Sequence, residues 1–277
     1  MRGIHALLER VDVSDRTGGR LLRLLTGGVY VFLYAPIVIV IALSFTEARV
    51  PAFPMEGFTL EWYATMLEDE RLTAAVFQSL QIGVLAAIGA GIVGTITALG
   101  MVRNDFDSRL LDASVLNTVF MSPVVVPWVV TGIAMLTLYN LFGVQGTMAS
   151  VVFGHVIITL PFVILVVSSR LYGFDRSLEE AAKNLGASET RAFLEVTFPL
   201  ILPGVVAGML FAFTISFDNF TQTFFWIGTN TETLPIVIYS MIRTGLNPSI
   251  NAVGTVIVVF SLSIVLVAEL LSSRVID

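Results

Sequence analysis

The sequence predicts an all-α protein folded in a lipid bilayer: a polytopic membrane chain of six transmembrane helices with a short helix exposed on the cytoplasmic side. Three observations predict it. The 277 residues are 56% hydrophobic and only 13% charged, at a mean hydropathy of +0.88, whereas an ordinary soluble domain is ~25% charged. The apolar residues fall into runs of about 20, the length that a helix rising ~1.5 Å per residue needs to cross a ~30 Å hydrocarbon core. The cations sit almost entirely in alternate connections between those runs, the asymmetry that sets membrane orientation.

The runs are placed, in order, at Gly27–Phe45, Gln78–Val102, Leu116–Tyr139, Val151–Ser168, Leu200–Phe220 and Ala252–Leu271. Residues 1–24 form a cytoplasmic N-terminal segment, and 25–277 the transmembrane domain. The first run starts late, is long and lacks a small-x-small cleavage site, so it reads as a retained signal anchor. The second carries small residues every fourth position: Gly83, Ala87, Gly91 and Thr95 on one line, Ala86, Ala90, Gly94 and Ala98 on another. Such lines let helices approach closely. The fourth is the shortest; Pro161 should kink it, and His155 reads as a hydrogen-bonded histidine of the bundle rather than a ligand. Pro199 and Pro203 lead into the fifth.

With the N-terminus inside, the inner segments hold Arg2, Arg10, Arg16, Arg20, Arg23, Arg103, Arg109, Arg170, Arg176, Lys183, Arg191 and Arg274; only Arg49, Arg71 and Arg243 fall outside. Both termini therefore face the cytoplasm. The first outer loop, Thr46–Val76, is acidic instead, with Glu47, Glu56, Glu61, Glu68, Asp69 and Glu70.

Several classes are excluded. The chain has no cysteine, hence no disulfide framework and no thiolate metal site. His5 and His155 are too far apart in sequence for a metal-binding spacing. A net charge of −6 and the lack of a basic run interleaved with aromatics argue against nucleic acid. No G-x-x-x-x-G-K-[ST], G-x-S-x-G or H-E-x-x-H occurs, so the chain reads neither as an ATPase nor as any other enzyme.

The largest inner loop, between the fourth and fifth runs, is built rather than loose. Ser177-Leu-Glu-Glu180 has the form of a capping box. Leu178, Ala181, Ala182 and Leu185 share one helical face. Gly186 sits where a helix ends in the left-handed conformation, and Ser188 can cap a second helix through Phe193 and Val196. A short amphipathic helix is unstable alone and needs a surface to lie on: the membrane or neighbouring spans on one reading, a soluble partner on the other.

Glu180-Ala181-Ala182-x3-Gly186-Ala187, followed by Phe193, Val196, Pro199 and Pro203, resembles the EAA motif of ABC-importer permeases in order and spacing. The resemblance implies that 25–277 is the transmembrane domain of such an importer, and that Glu180, Ala181, Ala182, Gly186 and Ala187 belong to the coupling helix that fits a cleft on the ATP-hydrolysing subunit. It implies the partners too: a second homologous permease, a cytoplasmic ATPase dimer that holds ATP and Mg, and an extracytoplasmic solute-binding protein, all at a prokaryotic inner membrane. This chain itself would bind no cofactor. "FTLEWYATML" (58–67), "MSPVVVPWVVTGIAML" (121–136), "SRLYGFD" (169–175), "FTISFDNF" (213–220) and "LPIVIYSMIRTGLNPSINAVGTVIVV" (234–259) look like the spermidine/putrescine-type permeases, and are most similar to the second permease of that pair. One departure is that those permeases usually carry two adjacent acids where this chain has Asp218-Asn219.

Asp218 has no Lys or Arg near it in sequence. Counted from Pro203 it lies ~22 Å along the fifth helix, in the outer half of the membrane. A carboxylate there is costly unless it faces a partner or a wet cavity; a position at the interface, snorkelling to water, is the alternative. Asp218, Asn219, Phe217, Phe220 and Trp226 are accordingly the candidate pathway residues, the rings offering cation–π contact to an ammonium or serving as belt aromatics facing lipid. Rival readings are the same importer class for another small solute (amino-acid-like, betaine-like, phosphonate or ferric ion) and an ion-coupled secondary transporter, which would predict matched broken helices in two halves.

Overall fold

The computed structural model describes residues 15–50, 55, 57–103, 113–228, 231–245 and 248–276. Most of the N-terminal segment, with Arg2, His5 and Arg10, as well as Glu56 and Arg109, lies outside the described residues. What is described is helical, with one isolated parallel bridge between Gly146 and Ile227. The chain divides into two compact units, Met1–Met66 with Gly245–Ala268 and Leu67–Thr244 with Glu269–Asp277.

The first unit contains α1, Asp15–Leu43, whose side chains suit lipid: Leu22, Leu24, Val31 and Phe32 are two-thirds or more exposed. Beyond it an aromatic-rich loop folds back on the helix end. Phe58 stacks on Phe45 at 5.2 Å, Trp62 Nε1 donates to the Thr46 carbonyl at 2.7 Å, and the Tyr63 hydroxyl meets Ser44 Oγ at 2.7 Å. Those contacts begin a short helix, α2, Glu61–Glu68. Most of the last helix, α12 (Ser249–Ile276), also falls in this unit and covers the sixth expected run; a Cβ on its Gly254 would lie 3.3 Å from Val40 of α1.

The second unit is organised around α3, Glu70–Arg103, α6, Met148–Tyr172, and α9, Phe198–Phe217. Both small-residue lines of the second run are buried between these helices. A Cβ on Gly91 would lie 2.6 Å from Met209, one on Gly94 2.8 Å from Val163, and one on Gly83 2.9 Å from Phe213. The core they form holds Ala87, Ala90, Val163, Ile164, Val167, Ile201, Val205 and Ala212.

The third run departs from expectation. It is two helices, α4, Ala113–Val125, and α5, Trp128–Phe142, and Val115–Val125 and Trp128–Phe142 meet at a bend of 102°. Pro127 is the reason: it has no N–H to continue the ladder, and it pushes the preceding residue out of helical geometry. The fourth run is longer than expected, a helix of 25 residues that passes through Pro161 without a break.

After α6 come α7, Ser177–Asn184, α8, Glu189–Ala192, and one wide π turn, Phe193–Thr197, that runs directly into α9. The fifth run is thus one helical stretch, Glu189–Phe217, and it ends before Phe220. Pro199 is the second residue of α9, directly after the π turn. Two short helices follow, α10, Thr223–Trp226, and α11, Leu234–Thr244. Among the described residues, four helices are long and apolar enough to cross a membrane, and a fifth if the bent pair counts as one span.

Candidate coupling unit and pathway residues

The candidate coupling unit, residues 177–197, lies at the C-terminal end of α3. Its first helix starts differently from the capping-box expectation: Ser177 is already helical and its side chain caps nothing. Asp175 replaces it, its Oδ1 accepting the Ser177 amide at 2.9 Å. That bond holds the exposed Asp175 carboxyl below the usual carboxylate range, as a hydrogen bond to the charged form must.

The end of α7 follows expectation. The Gly186 amide donates to the Lys183 carbonyl at 2.9 Å and the Ala187 amide to the Ala182 carbonyl at 3.0 Å, the paired bonds of a Schellman motif. Gly186 has φ +94°, a conformation costly to any side chain. Ala182 and Ala187, joined across the motif, are both half-buried, whereas Glu180, Ala181 and Gly186 are exposed. Ser188 caps the second helix, accepting the Arg191 amide at 3.3 Å. The chemistry of the motif is therefore geometric: a glycine joint closes one helix, a serine opens the next, and Leu185, 90% exposed, is left almost without protein cover, with Leu178 half-exposed in α7.

The other face of α7 is anchored. Glu179 Oε2 accepts from Arg103 Nη2 at 2.6 Å and from the Thr197 hydroxyl at 3.0 Å. Arg103 Nη2 also donates to Thr197 Oγ1 at 3.2 Å, and Arg176 donates to the Val102 carbonyl at 2.8 Å. Glu179 was not singled out in the sequence; its separation from Arg103 by two spans hides the pairing.

The pathway candidates lie at the far end of α9, about 30 Å of helix away for its 20 residues. Asp218 is the residue that ends α9, exposed, with φ −90° and ψ 2°. Asn219 turns inward and is buried. Its Oδ1 accepts the Gln222 and Thr223 amides, both at 3.2 Å, and the Thr223 hydroxyl at 3.1 Å, while Nδ2 donates to Gln222 Oε1 at 2.7 Å. Asn219 is therefore a cap for the turn leading into α10. Phe217 stacks on Phe213 at 5.7 Å. Phe220 packs 4.8 Å from Tyr239 and 5.7 Å from Phe224. Trp226 is wholly buried; it donates to the Gly132 carbonyl at 2.9 Å and meets Tyr139 and His155 edge-on. Asp218 and Phe220 thus lie together at one end of the helix bundle, and Trp226 is separate, in its core.

His155 ties this segment to α6. Its Nε2 lies 2.9 Å from Thr223 Oγ1 and its Nδ1 2.6 Å from Ser216 Oγ. Because the Thr223 hydroxyl donates to Asn219, it must accept from His155; the proton is on Nε2, and Ser216 donates to Nδ1. Gln222 Nε2 then reaches Thr131 of α5 at 2.7 Å. His155 is thus hydrogen-bonded through both ring nitrogens inside the bundle, in keeping with its sequence reading. At the same end Arg71 and Glu232 form a paired ion bridge, 2.6 and 2.8 Å, and the guanidinium's hydrogen bonds hold the Glu232 carboxyl below its ordinary range.

The second unit is a bundle of long apolar helices packed through small residues, with an exposed helix–glycine–helix knob at one end, the build of a membrane protein. The chain belongs to the family of binding-protein-dependent transport system inner membrane components, whose model matches residues 108–277. It is 38% identical over 254 residues to the spermidine/putrescine transport system permease protein PotC of Escherichia coli (strain K12), covering 90% of this chain and 94% of that one. It is 35% identical over 248 residues to the putrescine transport system permease protein PotI of the same organism, covering 87% and 86%. The fold matches a bacterial alginate ABC transporter, solved in complex with its alginate pentasaccharide-bound periplasmic protein, at a TM-score of 0.72 and 15% identity over 94% of this chain and 96% of that one. It is the multi-pass permease subunit of an ABC importer, and not an enzyme; ATP hydrolysis belongs to a separate subunit.

Proposed function

We propose that this chain imports polyamines, putrescine and spermidine, as one of two homologous permeases that share a pathway. It crosses the membrane six times with both termini in the cytoplasm, α4 and α5 together making one bent crossing and α12 the last. The helix α7 docks in a cleft of a cytoplasmic ATPase pair through Glu180, Ala181, Ala182, Gly186 and Ala187. A solute-binding protein delivers the polyamine to the outer face, where the first outer loop and the 220–250 segment receive it. ATP, held with Mg by the ATPase pair, closes that pair, moves both coupling helices and rocks the permeases from inward to outward access. The observation that carries the docking is the exposure of Leu185 on a helix too short to stand alone.

The substrate reading rests on the likeness to the two polyamine permeases and on the exposed Asp218 beside aromatic side chains. An ammonium leaving water needs charge-assisted hydrogen bonds or cation–π contact in exchange. Asp218 supplies one carboxylate, with Phe217 and Phe220 adjacent in sequence. The second charge that a diamine requires must come from the partner permease or another span. The test is uptake of labelled putrescine and spermidine by vesicles holding the complete complex. Asp218→Asn keeps the shape and removes the charge; it should lower uptake by about tenfold or more, ~1.4 kcal/mol of transition-state binding, while basal ATP hydrolysis survives. Unchanged uptake makes Asp218 a surface carboxylate, and an equal loss for a neutral solute makes it part of a gate.

A further inference from the structure

The docking helix is attached to the bundle in two different ways. Along the backbone it follows α6 after four residues, and leads to α9 through irregular geometry: Gly186 at φ +94°, then α8 and the five-residue π turn. π turns inside helices often mark points of functional adjustment. Across space it is joined by a compact charged cluster. The Glu179 side chain is 13% exposed and Arg103 31%. One guanidinium nitrogen of Arg103 reaches both Glu179 and Thr197, and Thr197 donates back to Glu179. Arg103 also lies 5.7 Å from the centre of the Phe193 ring. Lys183, one turn on in α7, stands 3.8 Å from Glu179 and 3.4 Å from Glu189 of α8. The cluster therefore touches α3, α7, α8 and the π turn at once.

We propose that Glu179, with Arg103 and Thr197, is a positioning cluster that transmits movement of the docking helix to α3. The inference rests on the reading of α7 as the docking helix and concerns its opposite face. Glu180 points away from the cluster into solvent, while Glu179 is turned toward α3. Arg103 is the last residue of α3, and α3 is seated along its length on α6 and α9 through Gly83, Gly91 and Gly94, where a single added carbon would collide. A force arriving at Arg103 therefore reaches three tightly packed helices together. Along the backbone toward α9 the same force would have to pass the glycine joint and the π turn. A partly buried ion pair suits this task because breaking it leaves an uncompensated charge away from water, which holds the two helices in one register.

The experiment uses the complete importer in lipid vesicles, and reads association of the ATPase subunits, basal ATP hydrolysis, ATP hydrolysis stimulated by the solute-loaded binding protein, and uptake. Glu179→Ala should leave the ATPase subunits bound and basal hydrolysis unchanged, while stimulated hydrolysis and uptake fall by about tenfold or more. The charge exchange Arg103→Glu with Glu179→Arg should recover stimulated uptake to within about threefold of the native chain, as expected of two groups that act as a pair. Recovery also shows that the single variant fails by lost linkage rather than by misfolding. Wild-type stimulation in Glu179→Ala overturns the proposal. So does an exchanged pair as poor as the sum of its single variants, and so does loss of the ATPase subunits from Glu179→Ala, which would make Glu179 a docking residue. Glu180→Lys separates the two readings. If it releases the ATPase while Glu179→Ala stays coupled, the linkage alone falls; if it leaves the ATPase bound and transport normal, the docking reading falls and the linkage with it.

Discussion

Gly186 and Asn219 illustrate how single residues divide the labour of this chain. A Cβ at Gly186 would meet nothing within 4 Å, so the demand for glycine comes from the backbone angle and not from crowding. Gly186→Val should therefore cost ~1 kcal/mol or more of local conformational energy and misalign α7 with α8 while leaving the bundle folded. The expected result is normal membrane insertion with weakened ATPase association, read by co-purification; full association and normal uptake would refute the assignment. Asn219 makes the opposite point. Its neighbour Asp218 is exposed, but Asn219 uses both ends of its amide inside the turn. Asn219→Asp adds a second acid beside Asp218 but loses the Nδ2 donor to Gln222, and a buried acceptor left unpaired costs ~1–3 kcal/mol. The variant should unfold at lower temperature in detergent and gain no polyamine uptake. Increased uptake would mean that position 219 lines the pathway.

At the scale of elements, α7 begins on a different residue from the one its sequence advertises. Ser177 and Glu180 have the spacing of a capping box, but Asp175, two residues earlier, takes the Ser177 amide. Asp175→Ala should loosen the first turn of α7, seen as faster hydrogen exchange at Ser177 relative to its intrinsic rate. The pH dependence has a definite sign. The Asp175 carboxyl titrates lower in the folded chain than in the unfolded one, so its contribution is complete above the unfolded value, ~3.9 for an aspartate, and is lost as pH falls through the folded value. The difference in protection between native and Asp175→Ala chains should therefore vanish in strong acid; a difference that persists there would assign the effect to something other than the carboxylate. The bend between α4 and α5 is a second element-level lesson. The apolar run 116–139 is long enough to cross a membrane as one helix, but Pro127 divides it. Apolar length reports solvent preference and does not say where the backbone bends: Pro127 stands at a 102° break, whereas Pro161 lies within a continuous helix.

For the whole molecule the decisive expectation is orientation. The chain contains no cysteine, so single-cysteine labelling reports without background. A cysteine replacing Thr190, exposed in the coupling unit, should react only with reagent on the cytoplasmic side, and one replacing Glu68, exposed at the end of α2, only from outside. Reversed reactivity would overturn the charge-based orientation and the docking reading together. The second unit already distinguishes its two ends: Arg103, Glu179 and Arg176 gather at one end of α3, and Arg71 pairs with Glu232 at the start of the same helix. These are the segments that the cation count assigns to opposite faces.

The sequence by itself determined the all-helical class, the membrane as solvent, the tight packing of α3 through its small residues, and the glycine joint that ends α7. Each is a local property: hydropathy summed over a run, a period along one helix, a backbone angle that only glycine adopts freely. The tertiary structure alone decided which residues meet across the bundle. Arg103 and Glu179 are brought together from two helices far apart in the chain, His155 finds Ser216 and Thr223, and Trp226 is drawn into the core while Asp218 stays at the surface. No local pattern encodes those pairings, because a buried polar group takes whichever partner the packing of three helices brings within reach, and that packing depends on side-chain volumes summed over all of them.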